Sequence, residues 1–325
     1  MLYPIKFKPR LKERLWGGDR LGTLMGKKLP AGKKIGESWE VSGVQKDVSV
    51  VGNGFLKGND LQELIEVYMG ELVGDSVFAR YGDEFPVLVK LIDAQDVLSI
   101  QVHPDDALAA ERHNAYGKTE MWYVVDCDPG AVLYVGFNRH VSESEYLDAV
   151  AGGTVADLLD KVSVKPGDAY FIPAGTIHAI GKGLLIAEIQ ETSDVTYRVF
   201  DWDRVDEKGR MRELHTELAL EAIDFGPPQD YNVTHTPQKN RAVELKSCPY
   251  FTVNLIELDG RMPRSYASLD SFVIYVCVDG DFSIERMNAA AESVAMGESV
   301  LLPADMDEVT LAGKGRLLEI YMEVV

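Results

Sequence analysis

The sequence predicts a mainly β protein that contains a duplicated β-barrel unit, and three observations carry that expectation. Runs of 5 to 8 residues rich in Val, Ile, Tyr and Phe recur between Gly, Pro, Asp and Asn, as short strands joined by turns do. The segment GDAYFIPA, Gly167 to Ala174, returns 130 residues later as GESVLLPA, Gly297 to Ala304, and a strand pair with an acidic turn precedes each copy. Only two stretches have helical spacing.

Taken in order, the chain opens on a basic segment, MLYPIKFKPRLKERLWGG, that lacks the apolar stretch of a secretory signal. Asn59-Asp60 then caps LQELIEVYMGELVG, whose apolar residues fall at helical spacing. Strands follow in PVLVKLID, VLSIQVH, EMWYVVD and AVLYVGF. SESEYLDAVAGGTVADLLDKV predicts two short helices interrupted by Gly152-Gly153. The strands AYFIPA and LLIAEIQ complete the first unit. Residues 225 to 241, FGPPQDYNVTHTPQKNR, accumulate Pro, Asn, Gln and Thr with little apolar periodicity, which predicts a linker. The division expected is therefore residues 1–235 and 236–325. The second copy ends in Asp305-Met306-Asp307-Glu308 where the first has Gly175-Thr176-Ile177-His178, and no histidine follows His235.

Composition narrows the functional classes. The 325 residues carry 33 Lys+Arg against 52 Asp+Glu, a formal net charge of −19, which argues against nucleic acid as a partner because counterion release needs a basic face. An apolar fraction of 46% with 26% charged is globular rather than disordered composition. No apolar run approaches the roughly 18 to 20 residues that span a bilayer, so neither a membrane partner nor export is expected and the location follows as cytoplasmic. Cys127, Cys248 and Cys277 are widely separated and odd in number, and read as reduced.

The chemistry concentrates in Leu98 to Asp105, LSIQVHPD. As a strand it puts Ser99, Gln101 and His103 on one face and Leu98, Ile100 and Val102 on the other. Glu120 stands at the mouth of the next apolar strand, and His178 closes the GDAYFIPAGTIHAIGKG segment. Two imidazoles, a carboxylate and an amide oxygen suit a divalent ion of borderline hardness; zinc fits, and Fe, Mn, Co or Ni share the ligand types. His113, His140, His215 and His235 lie in polar contexts and read as solvated. Beyond LLIAEIQ, Gln190 to Arg204 is dense in carboxylates, hydroxyls and guanidinium groups, interleaved with Tyr197, Phe200 and Trp202 that a solvated loop would not need. Lys90, inside an apolar strand, and Lys118 add positive charge. A divalent ion, cations and carboxylates together suit an anionic polyol.

These residues resemble the type I mannose-6-phosphate isomerases of the cupin superfamily, in their short bacterial form. The matching blocks are LWGGDRL, IGESWEVS at 35 to 42, FPVLVKLIDAQDVLSIQVHPDD at 85 to 106, GKTEMWYV at 117 to 124, PAGTIHAIGKG at 173 to 183 and QETSDVTYRVFDWDR at 190 to 204. The resemblance implies two cupin-type (jelly-roll) barrels, a catalytic one in 1–235 and a degenerate one in 236–325. It implies Gln101, His103, Glu120 and His178 as ligands of one Zn2+. Arg198 would be the active-site arginine, Ser99 and Arg204 the phosphate contacts, and Lys90, Lys118, Asp194 and Glu191 candidates for ring opening and proton transfer. The implied reaction interconverts mannose 6-phosphate and fructose 6-phosphate through a cis-enediol(ate), in a monomer or weak homo-oligomer. Two other readings share the ligand types: a cupin metal oxygenase, for which Lys118, Arg198 and Arg204 would be unnecessary, and a non-catalytic sugar-phosphate-binding cupin.

Overall fold

The computed structural model describes residues 2–205 and 208–324, and its strands form three large sheets and one two-stranded ribbon. The first large sheet runs, edge to edge, through Ala169–Ile172, Glu120–Cys127, Leu184–Glu191, Val87–Ala94, Arg10–Gly18 and Ile35–Val41. The second runs through Tyr197–Phe200, Ile100–Val102, His178–Ile180, Val132–Phe137 and Leu159–Ser163. The C-terminal sheet contains Ala242–Ser247, Thr252–Ser265, Glu308–Tyr321, Val273–Glu285 and Glu292–Ala295, with Ser299–Leu302 paired to Val273–Glu285. Every pairing within these three sheets is antiparallel.

Burial follows from how the sheets stack. Alternate residues of the first sheet, among them Ile92, Trp122, Val124 and Ile186, pack onto Leu98, Leu133, Val135 and Ile180 of the second-sheet side. The other face, with Val89, Leu91, Met121, Leu185, Ala187 and Ile189, packs on Val253, Leu255, Ile274, Val276, Leu318 and Ile320 of the C-terminal sheet and on the helical residues Leu61, Leu64 and Leu72. Val87–Ala94 and Leu184–Glu191 are consequently buried at every position, which explains their continuous apolar runs. The outer face of the second sheet is covered by the helices Glu143–Ala151 and Thr216–Ala222 through Tyr146, Ala149 and Ala219.

Several expectations change here. The barrels do not close, because side chains rather than hydrogen bonds between strands join the first two sheets. The helix after Asn59-Asp60 forms as Leu61–Tyr68 behind a capping box in which Asp60 accepts from the Glu63 amide and Glu63 accepts from that of Asp60. After Gly153 the expected helix is only a 3-10 turn, Val155–Leu158. Asp75–Tyr81, Asp106–His113 and Thr216–Ala222 are helices that the strand-dominated reading leaves out; Asp105 caps the second by accepting from the Leu108 amide. The 225–241 segment is tied down rather than loose, since the amides of Phe171 and Val233 donate to Tyr231 and Ala169 carbonyls. Both GxxxxxPA copies behave alike locally. Gly167 and Gly297 turn the chain at φ +95° and +84°, and the strands Ala169–Ile172 and Ser299–Leu302 pair beside the preceding long strand.

Candidate metal centre and substrate cavity

Register brings the ligand set together. Gln101 lies directly opposite His178 in the second sheet, His103 follows that strand by one residue, and Glu120 begins the strand of the first sheet that faces them. His103, Glu120 and His178 are fully buried, with one ligand atom from each within 4.8 Å of the others. His103 Nε2 lies 3.3 Å from Glu120 Oε1, and His178 Nε2 lies 3.8 Å from Glu120 Oε2. The Gln101 side-chain Nε2 lies 3.3 Å from His178 Nε2, which puts its amide beside the set.

The surroundings prepare these atoms for a cation. His103 Nδ1 is 3.1 Å from the Val195 carbonyl and His178 Nδ1 is 2.8 Å from that of Thr176, so each Nδ1–H is spent on backbone and each Nε2 lone pair points inward. Burial, then the Lys118 charge, pulls the His103 pKa down to about 3, and burial also lowers His178, so both imidazoles are neutral. Burial would raise Glu120, but the Lys118 ammonium beside it holds its carboxyl well below the ordinary value. His103 Nε2 is buried without a hydrogen-bond partner and Glu120 Oε1 has only its ion pair with Lys118, so a coordinated ion would satisfy the histidine lone pair, which is costly to leave unpaired. By donor chemistry, orientation and this unpartnered nitrogen, the residues fit a divalent metal.

Beside the centre opens a cavity of about 430 Å³, whose lining includes Ser99, Gln101, Lys90, Lys118, Asp194 and Arg198. Buried Lys90 and Glu188 form an ion pair of 2.7 Å, and Lys90 also donates to Gln190. Burial alone would lower Lys90, but Glu188, Glu37 and Glu120 raise it; burial and the Glu120 charge raise Glu188. The Lys118 ammonium pairs with Glu120 Oε1 at 3.0 Å. Arg198 donates to the Glu213 carbonyl at 2.8 Å, its buried Nε has no partner, and burial together with the neighbouring Arg212 and Arg204 lowers its pKa.

Some sequence-derived assignments sit elsewhere. Arg204 is outside the cavity lining: its guanidinium binds Asp201 Oδ1 at 2.6 Å and the Val97 carbonyl at 2.5 Å. Arg212, which the sequence reading passed over, lines the cavity and binds the other Asp201 oxygen at 2.7 Å. Glu191 is also outside the lining. It accepts from the Thr119 amide at 2.7 Å, and burial, with Asp106 adding its charge, pushes it up to about 8. Glu188, Glu37, Trp39 and Trp16 are further wall residues that the motifs did not single out. Glu188 had a signal of the same kind as Lys90, a charge inside an apolar strand. Of the histidines read as solvated, His215 is part-buried and accepts from the Arg198 amide at 3.0 Å, and His113 meets the Tyr197 hydroxyl at 2.8 Å. Leu98 lines the cavity with Ser99 and Gln101 instead of facing away, because the regular strand begins only at Ile100.

Comparison with known proteins agrees with this geometry. Residues 5–126 match the family described as phosphomannose isomerase type I, catalytic domain, and residues 242–322 match the mannose-6-phosphate isomerase cupin domain. A mannose-6-phosphate isomerase of Streptococcus mutans is 37% identical over 308 residues, covering 93% of each chain. ManA of Bacillus subtilis is 38% identical over 316 residues, covering 95% of this chain and 96% of its own. A crystal structure of the B. subtilis mannose 6-phosphate isomerase superposes with a TM-score of 0.88 over 98% of this chain at 34% identity. The phosphomannose isomerase of Salmonella typhimurium, 18% identical with a TM-score of 0.80, shares the fold. Matched near both ends and related along more than nine-tenths of its length to such enzymes, the chain belongs to the type I mannose-6-phosphate isomerase family.

Proposed function

We propose that the chain catalyses the reversible, metal-dependent isomerisation of mannose 6-phosphate and fructose 6-phosphate, through a cis-enediol(ate). The observation that carries this reading is the buried His103, Glu120 and His178 set, with His103 Nε2 unpartnered, beside a cavity that mixes cations with carboxylates. Gln101, His103, Glu120 and His178 would hold the ion, with zinc best suited to two imidazoles and a carboxylate. When bound, it supplies positive charge next to the sugar's reacting oxygens.

The chain's own residues do the rest. Arg198, with its buried and unpartnered Nε, stabilises negative charge as the enediolate develops. Ser99 and Arg212 form the phosphate end; Arg204 acts behind them, sharing Asp201 with Arg212. Lys118 neutralises Glu120 and faces the cavity, where it orients a sugar hydroxyl. Lys90 and Glu188 are a coupled acid and base within reach of the cavity, suited to ring opening and the proton transfer between C1 and C2, with Asp194 a second carboxylate at the wall. Glu191 holds the 117–119 segment through Thr119 instead of meeting substrate.

We further infer that residues 1–235 are the catalytic unit and 236–325 a degenerate cupin copy, supported by the matching turn, strand and pairing of the two GxxxxxPA segments. A cytoplasmic location fits three free cysteines, and a monomer or weak homo-oligomer is the state proposed. A coupled assay with mannose 6-phosphate tests the function. Turnover should disappear on chelation and return with Zn2+; bound metal without turnover, or turnover indifferent to chelation, would overturn it.

A further inference from the structure

The second copy of the GxxxxxPA motif carries no metal ligand, yet its first residue is engaged in the catalytic half of the molecule. The Gly297 carbonyl accepts from Lys27 Nζ at 2.7 Å, and the same ammonium lies 2.6 Å from Glu40 Oε1, with side-chain exposures of 6% and 4%. Ser38 Oγ donates to that carboxylate oxygen at 2.6 Å. A buried ion pair costs desolvation that its attraction seldom outweighs, so its presence asks for a reason other than stability.

The reason lies on the other face of the same strand. Ile35–Val41 alternates: Ser38 and Glu40 share one face, bonded to each other, and Glu37 and Trp39 line the substrate cavity. Glu37 and Trp39 are themselves joined, since Trp39 Nε1 donates to Glu37 Oε2 at 2.8 Å, and Arg14 holds the other oxygen at the same distance. Trp39 is the register partner of Lys90, and Lys90 Nζ lies 5.4 Å from its ring centroid. Register breaks at this point. Trp39 opposes Lys90 and Val41 opposes the adjacent Val89, which leaves Glu40 as the extra residue of a β-bulge. A bulge sets the local twist and hence where neighbouring side chains aim. The residue that makes this bulge is the one pinned by Lys27.

The far end of the contact leaves little freedom. A Cβ on Gly297 would lie 2.6 Å from Met25 Cβ and 2.7 Å from its carbonyl oxygen, so the turn is pressed against the segment that carries Lys27. We infer that Lys27, anchored on the Gly297 carbonyl and paired with Glu40, is a positioning residue through which the C-terminal sheet fixes the bulge in Ile35–Val41 and so the aim of Trp39 and Glu37 at the substrate. The second GxxxxxPA segment thus keeps a role in substrate binding, as a scaffold for the cavity wall formed by Glu37 and Trp39.

This inference rests on the cavity being the sugar-phosphate site, and the test separates the two. The parent enzyme is assayed first with mannose 6-phosphate; absence of turnover there counts against the function. The double variant Lys27→Met/Glu40→Gln removes both charges, so that no unpaired ion is left buried. With metal content at parental stoichiometry, KM should rise on the order of tenfold while kcat changes less than about threefold, because a displaced wall loses binding held equally in ground and transition states. Gly297→Ala keeps both charges, pushes the turn away from Met25, and should give the same split from the other side of the contact. A fall in melting temperature with parental KM and kcat in both variants would make the pair a structural staple and overturn the inference. So would loss of metal in parallel with activity. Should the double variant fail to fold, Gly297→Ala alone decides by the same criteria.

Discussion

Glu120 shows how residue-scale electrostatics prepare the centre. Full burial works against its ionised form, and the Lys118 ammonium at 3.0 Å reverses that balance, so the carboxylate stays charged. Removing one imidazole should therefore be decisive: His178→Ala is expected to abolish metal binding and turnover while circular dichroism stays parental, and full metal content in the variant would refute the ligand set. Arg198→Ala should lower kcat with metal retained; a change confined to KM would mark the arginine as a binding group. Glu191 makes a pH prediction. Its carboxyl, pushed up to about 8 from 4.5, keeps its proton in the folded chain while the unfolded chain loses it, so this residue costs stability progressively as pH rises from 4.5 to 8 and no further above. Glu191→Gln, neutral at every pH and still able to accept from Thr119, should gain melting temperature relative to the parent between pH 5 and 8. A gap that does not vary with pH would mean that the group is ionised in the fold.

At the scale of elements, local chemistry made some pieces legible and hid others. Leu61–Tyr68 could be read because its cap and its apolar spacing agree, and both are present in the fold. Asp60→Ala should cost about 1 kcal/mol in chemical denaturation with kcat unchanged, since the helix packs on the sheet face away from the centre. A change in kcat would mean that the helix communicates with the site. Asp106–His113 escaped because HPDD reads as a strand end, although Asp105 caps the helix as Asp60 does for its own. The strand through Gln101 proved shorter than its apolar alternation suggested, only Ile100–Val102, because Pro104 and the Asp105 cap redirect the chain at once. His103 survives that shortening as a member of the site since its ring is held by the Val195 carbonyl.

For the whole molecule, the first sheet has apolar partners on both faces, the second sheet on one and the C-terminal sheet on the other. Residues 1–235 alone would expose Val89, Leu91, Leu185, Ala187 and Ile189, so the truncated chain is expected to aggregate or to bind a hydrophobic dye strongly. A soluble, metal-binding 1–235 fragment would refute that dependence. The net charge of −19 also changes meaning: the cavity is lined by Arg14, Lys90, Lys118, Arg198 and Arg212 against Glu13, Glu37, Glu188 and Asp194. It is a near-balanced mosaic rather than a uniformly positive pocket, with Arg198 and Arg212 both at its wall. By itself the sequence determined the β class, the ligand types and the order of the blocks, because alternation, turn residues and donor chemistry are local properties. Which arginine lines the cavity, which carboxylate pairs with Lys90, and that Lys27 meets the Gly297 carbonyl were decided only by tertiary structure. Those depend on register and on sheet stacking, which bring together residues such as Lys27 and Gly297 that no local pattern relates.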